Sequence, residues 1–119
     1  MCIRDRYNDA FKSIDWLTCP TQLEDRQSGN HLYVLRINFD AINKTRSQVI
    51  TDLKEKGVGT QVHYIPLYHQ PYYQQFGFDQ ADFPNTEAYY EQALSIPQYP
   101  KMSNEDVYHV INTISELAE

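Results

Sequence analysis

The most constraining feature is the C-terminal stretch, where Val107, Val110, Ile111, Ile114, Leu117 and Ala118 recur at i, i+3, i+4, i+7, i+10 and i+11. That spacing places one apolar stripe on one helix face. Ser103-Asn104-Glu105-Asp106 ahead of it supplies a hydroxyl to accept the first free amides and acids to suit the helix N-terminus. Such a helix must cover something flat and apolar, and the rest of the chain has to provide it.

The partner is a small sheet. His31–Phe39 alternates, with Leu32, Val34 and Arg36 on one side and Tyr33, Leu35, Ile37 and Phe39 on the other, and is rich in β-branched and aromatic residues. Gly59–Tyr64 reads as a second strand, and the short extended segment at Ile96-Pro97 as a third. Thr45-Arg46-Ser47-Gln48 fits a capping box, followed by Val49, Ile50 and Leu53 on one face, Lys54 and Lys56 in the last turn, and Gly57 as the left-handed stop. Pro84 opens another helix, with Ala88, Tyr89, Ala93 and Leu94 as its face. The expected fold class is therefore α+β, a small antiparallel sheet of about three strands covered by helices.

The N-terminus is harder to place. Met1–Arg6 carries three charges in six residues with no evident periodicity and reads as non-native or misread sequence ahead of a truncated start. Residues 7–119 are then the domain, with Tyr7–Ser13 the end of a helix whose beginning is missing. Pro20 disfavours helix at Cys19, and Gln22–Asn30 reads as loop.

Composition excludes several functions. A net charge of −6, with ten Lys and Arg scattered among acids, argues against binding a nucleic-acid backbone. No apolar run approaches the ~20 residues of a membrane-spanning helix, and no signal-peptide core is present. Cys2 and Cys19 lack metal-type spacing and read as two reduced thiols of a cytoplasmic protein, although a disulfide between them stays open.

Chemistry concentrates in Gly57–Tyr73, where a strand breaks at Pro66 into a turn holding His63, Tyr64, Tyr68, His69, Tyr72 and Tyr73. Two imidazoles across a strand end and a Pro turn, with no nearby Cys or Asp to complete a ligand set, make a poor metal site. Contact with a ligand fits better. Gly57 and Gly59 form only G-x-G, which a helix stop and a strand start explain, and no nucleophile motif is present. Residue chemistry alone does not name a reaction.

The run Gly57–Tyr73 resembles the small-domain motif of the DegT/DnrJ/StrS-type sugar-nucleotide aminotransferases. Phe83-Pro84-Asn85-Thr86-Glu87 through Ser95-Ile96-Pro97, and Tyr99-Pro100-Lys101-Met102-Ser103, resemble the same family in the same order. Within it, the chain looks most like the branch that aminates a UDP-linked 4-keto-6-deoxy-hexosamine toward pseudaminic acid. The resemblance implies the C-terminal small domain of an aspartate-aminotransferase, fold type I enzyme, a homodimer, pyridoxal 5'-phosphate as cofactor, and glutamate as amino donor to a sugar-nucleotide substrate. The family's cofactor lysine lies outside the matched part, and Lys12, Lys44, Lys54, Lys56 and Lys101 match no cofactor motif, so the chain alone is expected to be inactive.

The resemblance carries over His63 and Tyr64, with His69 as a further substrate-binding candidate. For His63 the alternative is an imidazole satisfied by hydrogen bonds behind the contact surface. Two rivals stand beside this reading: a regulatory homologue that keeps the cofactor without transaminating, and a free-standing ligand-binding or interaction module.

Overall fold

The computed structural model describes residues 2–119. Its helices are α1 (Ile3–Phe11), α2 (Arg46–Glu55), α3 (Pro71–Gln74), α4 (Pro84–Gln92) and α5 (Asn104–Ser115). Three strands, β1 (Leu17–Thr18), β2 (Tyr33–Ile37) and β3 (Ala93–Ile96), form an antiparallel sheet in the order β1-β2-β3. The fold class expected from the sequence is the one observed.

Side-chain alternation along β2 sorts the sheet into two faces. Tyr33, Leu35 and Ile37 are essentially inaccessible and join Leu94 and Ile96 of β3 in the core. Val49 and Leu53 of α2, and Val107, Val110 and Ile114 of α5, close over them. The opposite face carries Val34, Arg36, Ala93 and Ser95, with α4 packed against β2.

Local rules explain the helix ends. Thr45 Oγ1 accepts from Gln48 N at 3.2 Å while Gln48 Oε1 accepts from Thr45 N at 2.8 Å, a complete capping box. At the other end Val58 N donates to Leu53 O at 2.8 Å and Gly57 N to Lys54 O at 3.0 Å, with Gly57 at φ +81°. That paired pattern needs a left-handed residue, which glycine adopts without a Cβ clash, and the apolar Leu53 and Val58 bury together beneath it. Ser103 and Asp106 form a second capping box at α5.

Three expectations of secondary structure are corrected. The segment Ile3–Arg6 is helical, the first half of α1; Met1 lies outside the described residues. Its charges conceal a stripe, Ile3, Tyr7, Ala10, Phe11 and Ile14, at i, i+4, i+7, i+8 and i+11. Tyr7 and Phe11 are fully buried, and the Tyr7 hydroxyl donates to Pro97 O at 2.6 Å. The Tyr33 hydroxyl likewise donates to Asn8 Oδ1 at 2.7 Å, tying α1 to β2.

Gly59–Tyr64 is not a strand of the sheet; Gln61 alone bridges Ser95, with both backbone bonds made, at 3.1 and 2.8 Å. The next antiparallel pairs would be His63 with Ala93 and Gly59 with Pro97. Ala93 N–H is already engaged by Tyr89 O at the end of α4, and Pro97 has no N–H to give. The third strand is instead Leu17–Thr18, paired with Arg36 and Ile37.

Finally, Ala93 and Leu94 belong to β3 and not to the helix before it. The backbone turns extended at Ala93 (φ −69°, ψ 132°), and α4 buries no side chain of its own.

Candidate ligand-binding surface

The bridge at Gln61 sets the first candidate residue. Ser95 points to the outer face of the sheet, and His63, two residues beyond Gln61, lies on the same face. Its Nδ1 stands 2.8 Å from Ser95 Oγ. The imidazole is half-buried and lines a shallow cavity of about 280 Å³ with Gly59, Thr60, Gln61 and Pro97. Tyr64 packs its ring edge-on against His63, centroids 4.7 Å apart, yet is 74% exposed. The peptide bond between the two is cis.

Pro66, buried, then turns the chain into a single 3-10 turn, Leu67–His69, closed by His69 N donating to Pro66 O at 3.0 Å. His69 and Tyr68 both reach Glu87 of α4. The Tyr68 hydroxyl donates to Glu87 Oε1 at 2.6 Å, and His69 Nε2 stands 2.5 Å from the same oxygen. Tyr68 stacks on Phe83 (4.7 Å, 18°), and His69 meets the Tyr90 ring edge-on at 5.8 Å. Arg46 in turn lies over Tyr90, 4.6 Å from its centroid, and donates to Tyr90 O.

These contacts set the local electrostatics. Bonds from Tyr68 and then His69 hold the Glu87 carboxyl below its usual range. Loss of water around the Tyr68 hydroxyl, reinforced by its bond to that carboxylate, pushes its pKa up to about 12. At neutral pH the cluster is an ionised carboxylate facing a protonated phenol and an imidazole N–H.

His63 and His69 do not meet. They share no hydrogen-bond partner, and His69 lines a separate cavity of about 420 Å³ with Tyr68, Gln74, Phe78 and Asp79. A roomier cavity, about 500 Å³ between Ile3, His31, Gln98 and Tyr99, holds none of the three sequence-derived candidates. Around the turn, Tyr64, Leu67, Tyr72, Phe76 and Phe78 are all more than half exposed, an extensive apolar surface for one segment.

Ser95, Glu87 and Arg36 escaped the sequence reading as site residues. Arg36 donates to Gln92 Oε1 at 2.9 Å on the outer sheet face, while its Nε is buried without a partner. Glu87 sits in the run from Phe83 to Pro97 that resembles the family, and the signal was its coincidence with the two ring-bearing residues of the turn.

A pyridoxal phosphate does not fit the lysines of this chain. Lys12 pairs with Asp9 on the surface, and Lys54 and Lys101 are exposed. Lys44 and Lys56 line a concavity ringed by Asp52, Glu55, Glu116 and Glu119, whose charges repel a phosphate.

The architecture is that of the sugar aminotransferases of fold type I. Spr1654 of Streptococcus pneumoniae, a proposed sugar aminotransferase in its PLP form, superposes with a TM-score of 0.85 at 28% identity, over 98% of this chain and 29% of that one. PseC of Helicobacter pylori, an aminotransferase involved in pseudoaminic acid biosynthesis, shares the fold at TM-score 0.85 and 24% identity, over 97% of this chain and 30% of that one.

The chain belongs to the DegT/DnrJ/EryC1/StrS aminotransferase family, whose model matches residues 2–115. Among curated relatives, the spore coat polysaccharide biosynthesis protein SpsC of Bacillus subtilis is 44% identical over 98% of this chain and 31% of its own length. The chain thus spans about a third of the curated relatives it matches.

Proposed function

We propose that this chain is the C-terminal small domain of a pyridoxal-phosphate-dependent aminotransferase that moves an amino group from glutamate to the 4-keto position of a UDP-linked 4-keto-6-deoxy-hexosamine. The family match over residues 2–115 carries the reading. The lysines present do not suit the cofactor, so a large domain outside this chain holds it, and the chain alone does not transaminate. The cytoplasmic homodimer typical of the resemblance belongs to the same proposal.

In this reading His63, Tyr64 and His69 form part of one wall of the substrate cleft. His63 is anchored from behind by Ser95 and His69 by Glu87, so both rings are held before a ligand arrives. Held groups lose less freedom on binding than free ones. The exposed rings of Tyr64, Tyr72 and Phe76 give that wall apolar area as well.

A second reading keeps the chemistry and changes the sugar to one destined for a polysaccharide, on the strength of the 44% identity to a spore coat polysaccharide biosynthesis protein. One assay addresses both. A full-length protein carrying this segment is given glutamate and a UDP-4-keto-6-deoxy-hexosamine, and 2-oxoglutarate is measured. Production of one 2-oxoglutarate per amino sugar is expected; none with that sugar but turnover with another 4-keto sugar nucleotide would select the second reading. No 2-oxoglutarate with any sugar would contradict both.

A further inference from the structure

Glu87 lies in the first turn of α4, where an acid suits the helix N-terminus, and that alone would leave its carboxylate in solvent. Its role is visible in what converges on it. Tyr68 and His69, consecutive on a 3-10 turn, both reach the single oxygen Oε1, and the His69 and Glu87 side chains are only 28% and 21% exposed. The backbone of His69 is bracketed as well, its N–H closing the turn on Pro66 O and its carbonyl accepting from Gln74 Nε2 at 3.0 Å. With the Tyr90 ring against its edge, the imidazole has little freedom to rotate.

The carboxylate also decides where the His69 proton sits. An ionised carboxylate only accepts, so the ring nitrogen facing it must be the one that carries hydrogen. The two nitrogens of an imidazole are distinct, and the hydrogen bond made by one sets what the other can offer. With Nε2–H given to Glu87, Nδ1 of the neutral ring is an acceptor. The His69 ring lines the cavity it shares with Tyr68, Gln74, Phe78 and Asp79, where an acceptor suits a hydroxyl donor. The depressed carboxyl of Glu87 keeps the arrangement in place at neutral pH.

We propose that Glu87 is a positioning residue that fixes the His69 proton on Nε2 and the ring in one orientation, so that Nδ1 is presented to a hydroxyl of the sugar substrate. The ligand half of this inference rests on the function proposed above; the positioning half does not.

The positioning half is tested on this chain by NMR with ¹⁵N-labelled histidine. The expected result is an Nε2–H pattern for His69, with an exchange-protected, downfield Hε2 proton that disappears in Glu87→Ala. Glu87→Gln, which keeps an acceptor oxygen and disturbs the surface helix least, should retain the Nε2–H pattern. An Nδ1–H pattern in the wild-type chain, or an Hε2 signal unchanged by Glu87→Ala, would overturn the proposal.

The ligand half is read in the full-length enzyme. Glu87→Ala and His69→Ala should each raise KM for the sugar nucleotide about 3- to 10-fold, the worth of one hydrogen bond, with no further increase in the double variant and partial rescue by Glu87→Gln. Independent, multiplying effects would show that Glu87 does not act through His69. An unchanged KM in both single variants, with the NMR pattern as expected, would remove the sugar from the proposal and His69 from the substrate site.

Discussion

Substituting Tyr7 tests whether the N-terminal helix is integral to the domain. The side chain is fully buried, stacks on Phe11 at 5.8 Å, meets Tyr33 edge-on at 5.0 Å and donates its hydroxyl to Pro97 O at 2.6 Å. Tyr7→Phe keeps the ring and leaves the Pro97 carbonyl, half-buried, without its donor, a loss of about 1 to 2 kcal/mol. Tyr7→Ala removes the ring from a core that α1 shares with α5 and β2, a loss of about 3 to 5 kcal/mol. A domain of this size has roughly 6 to 18 kcal/mol in total, so the alanine variant gives up a large fraction of it. Urea and thermal unfolding followed by circular dichroism measure both variants. At about 4 °C per kcal/mol, the melting temperature should fall by roughly 4 to 8 °C for Tyr7→Phe and 12 to 20 °C for Tyr7→Ala. A Tyr7→Ala variant within ~1 kcal/mol of the parent would refute the placement of α1 in the core.

Other perturbations separate caps, core and turn. Ser103→Ala removes the acceptor for Asp106 N and should destabilise by about 1 kcal/mol, whereas Ser115→Ala, which loses only a bond to Ile111 O on the surface, should change the melting temperature by less than ~2 °C. Leu94→Ala, at a fully buried position paired with Leu35, should cost about 2 to 5 kcal/mol in urea. The Glu87 carboxyl, held below its usual value of 4.5 chiefly by Tyr68 and then His69, favours the folded turn at pH above that value and loses this contribution as pH falls through the lowered one. Acidification below pH 4.5 should therefore expose residues 66–83 to hydrogen exchange before the core opens, and Glu87→Gln should abolish that pH dependence; uniform exchange across the chain would contradict it.

The parts of the fold legible in the sequence are those fixed by neighbours along the chain. The capping box at Thr45, the cap at Ser103, the Gly57 stop, and the buried face of Tyr33, Leu35 and Ile37 each depend on residues a few positions apart. What was not legible depends on distant partners. Leu17–Thr18 is too short to show alternation and is a strand only because β2 offers it an edge. Gly59–Tyr64 has strand composition but is held to one bridge by the engaged N–H of Ala93 and the missing N–H of Pro97. In the site, His63, Tyr64 and His69 stood out by residue type. Ser95 and Glu87 gain meaning only through the 32- and 18-residue separations that the fold closes.

The most direct test of the proposed cleft wall is steady-state kinetics of His63→Ala in a full-length protein carrying this segment, varying the sugar nucleotide at saturating glutamate. His63 is anchored by Ser95 and stands in a cavity wall, so its loss should raise KM about 3- to 10-fold. KM and kcat both unchanged would place His63, and the wall it belongs to, outside the substrate site.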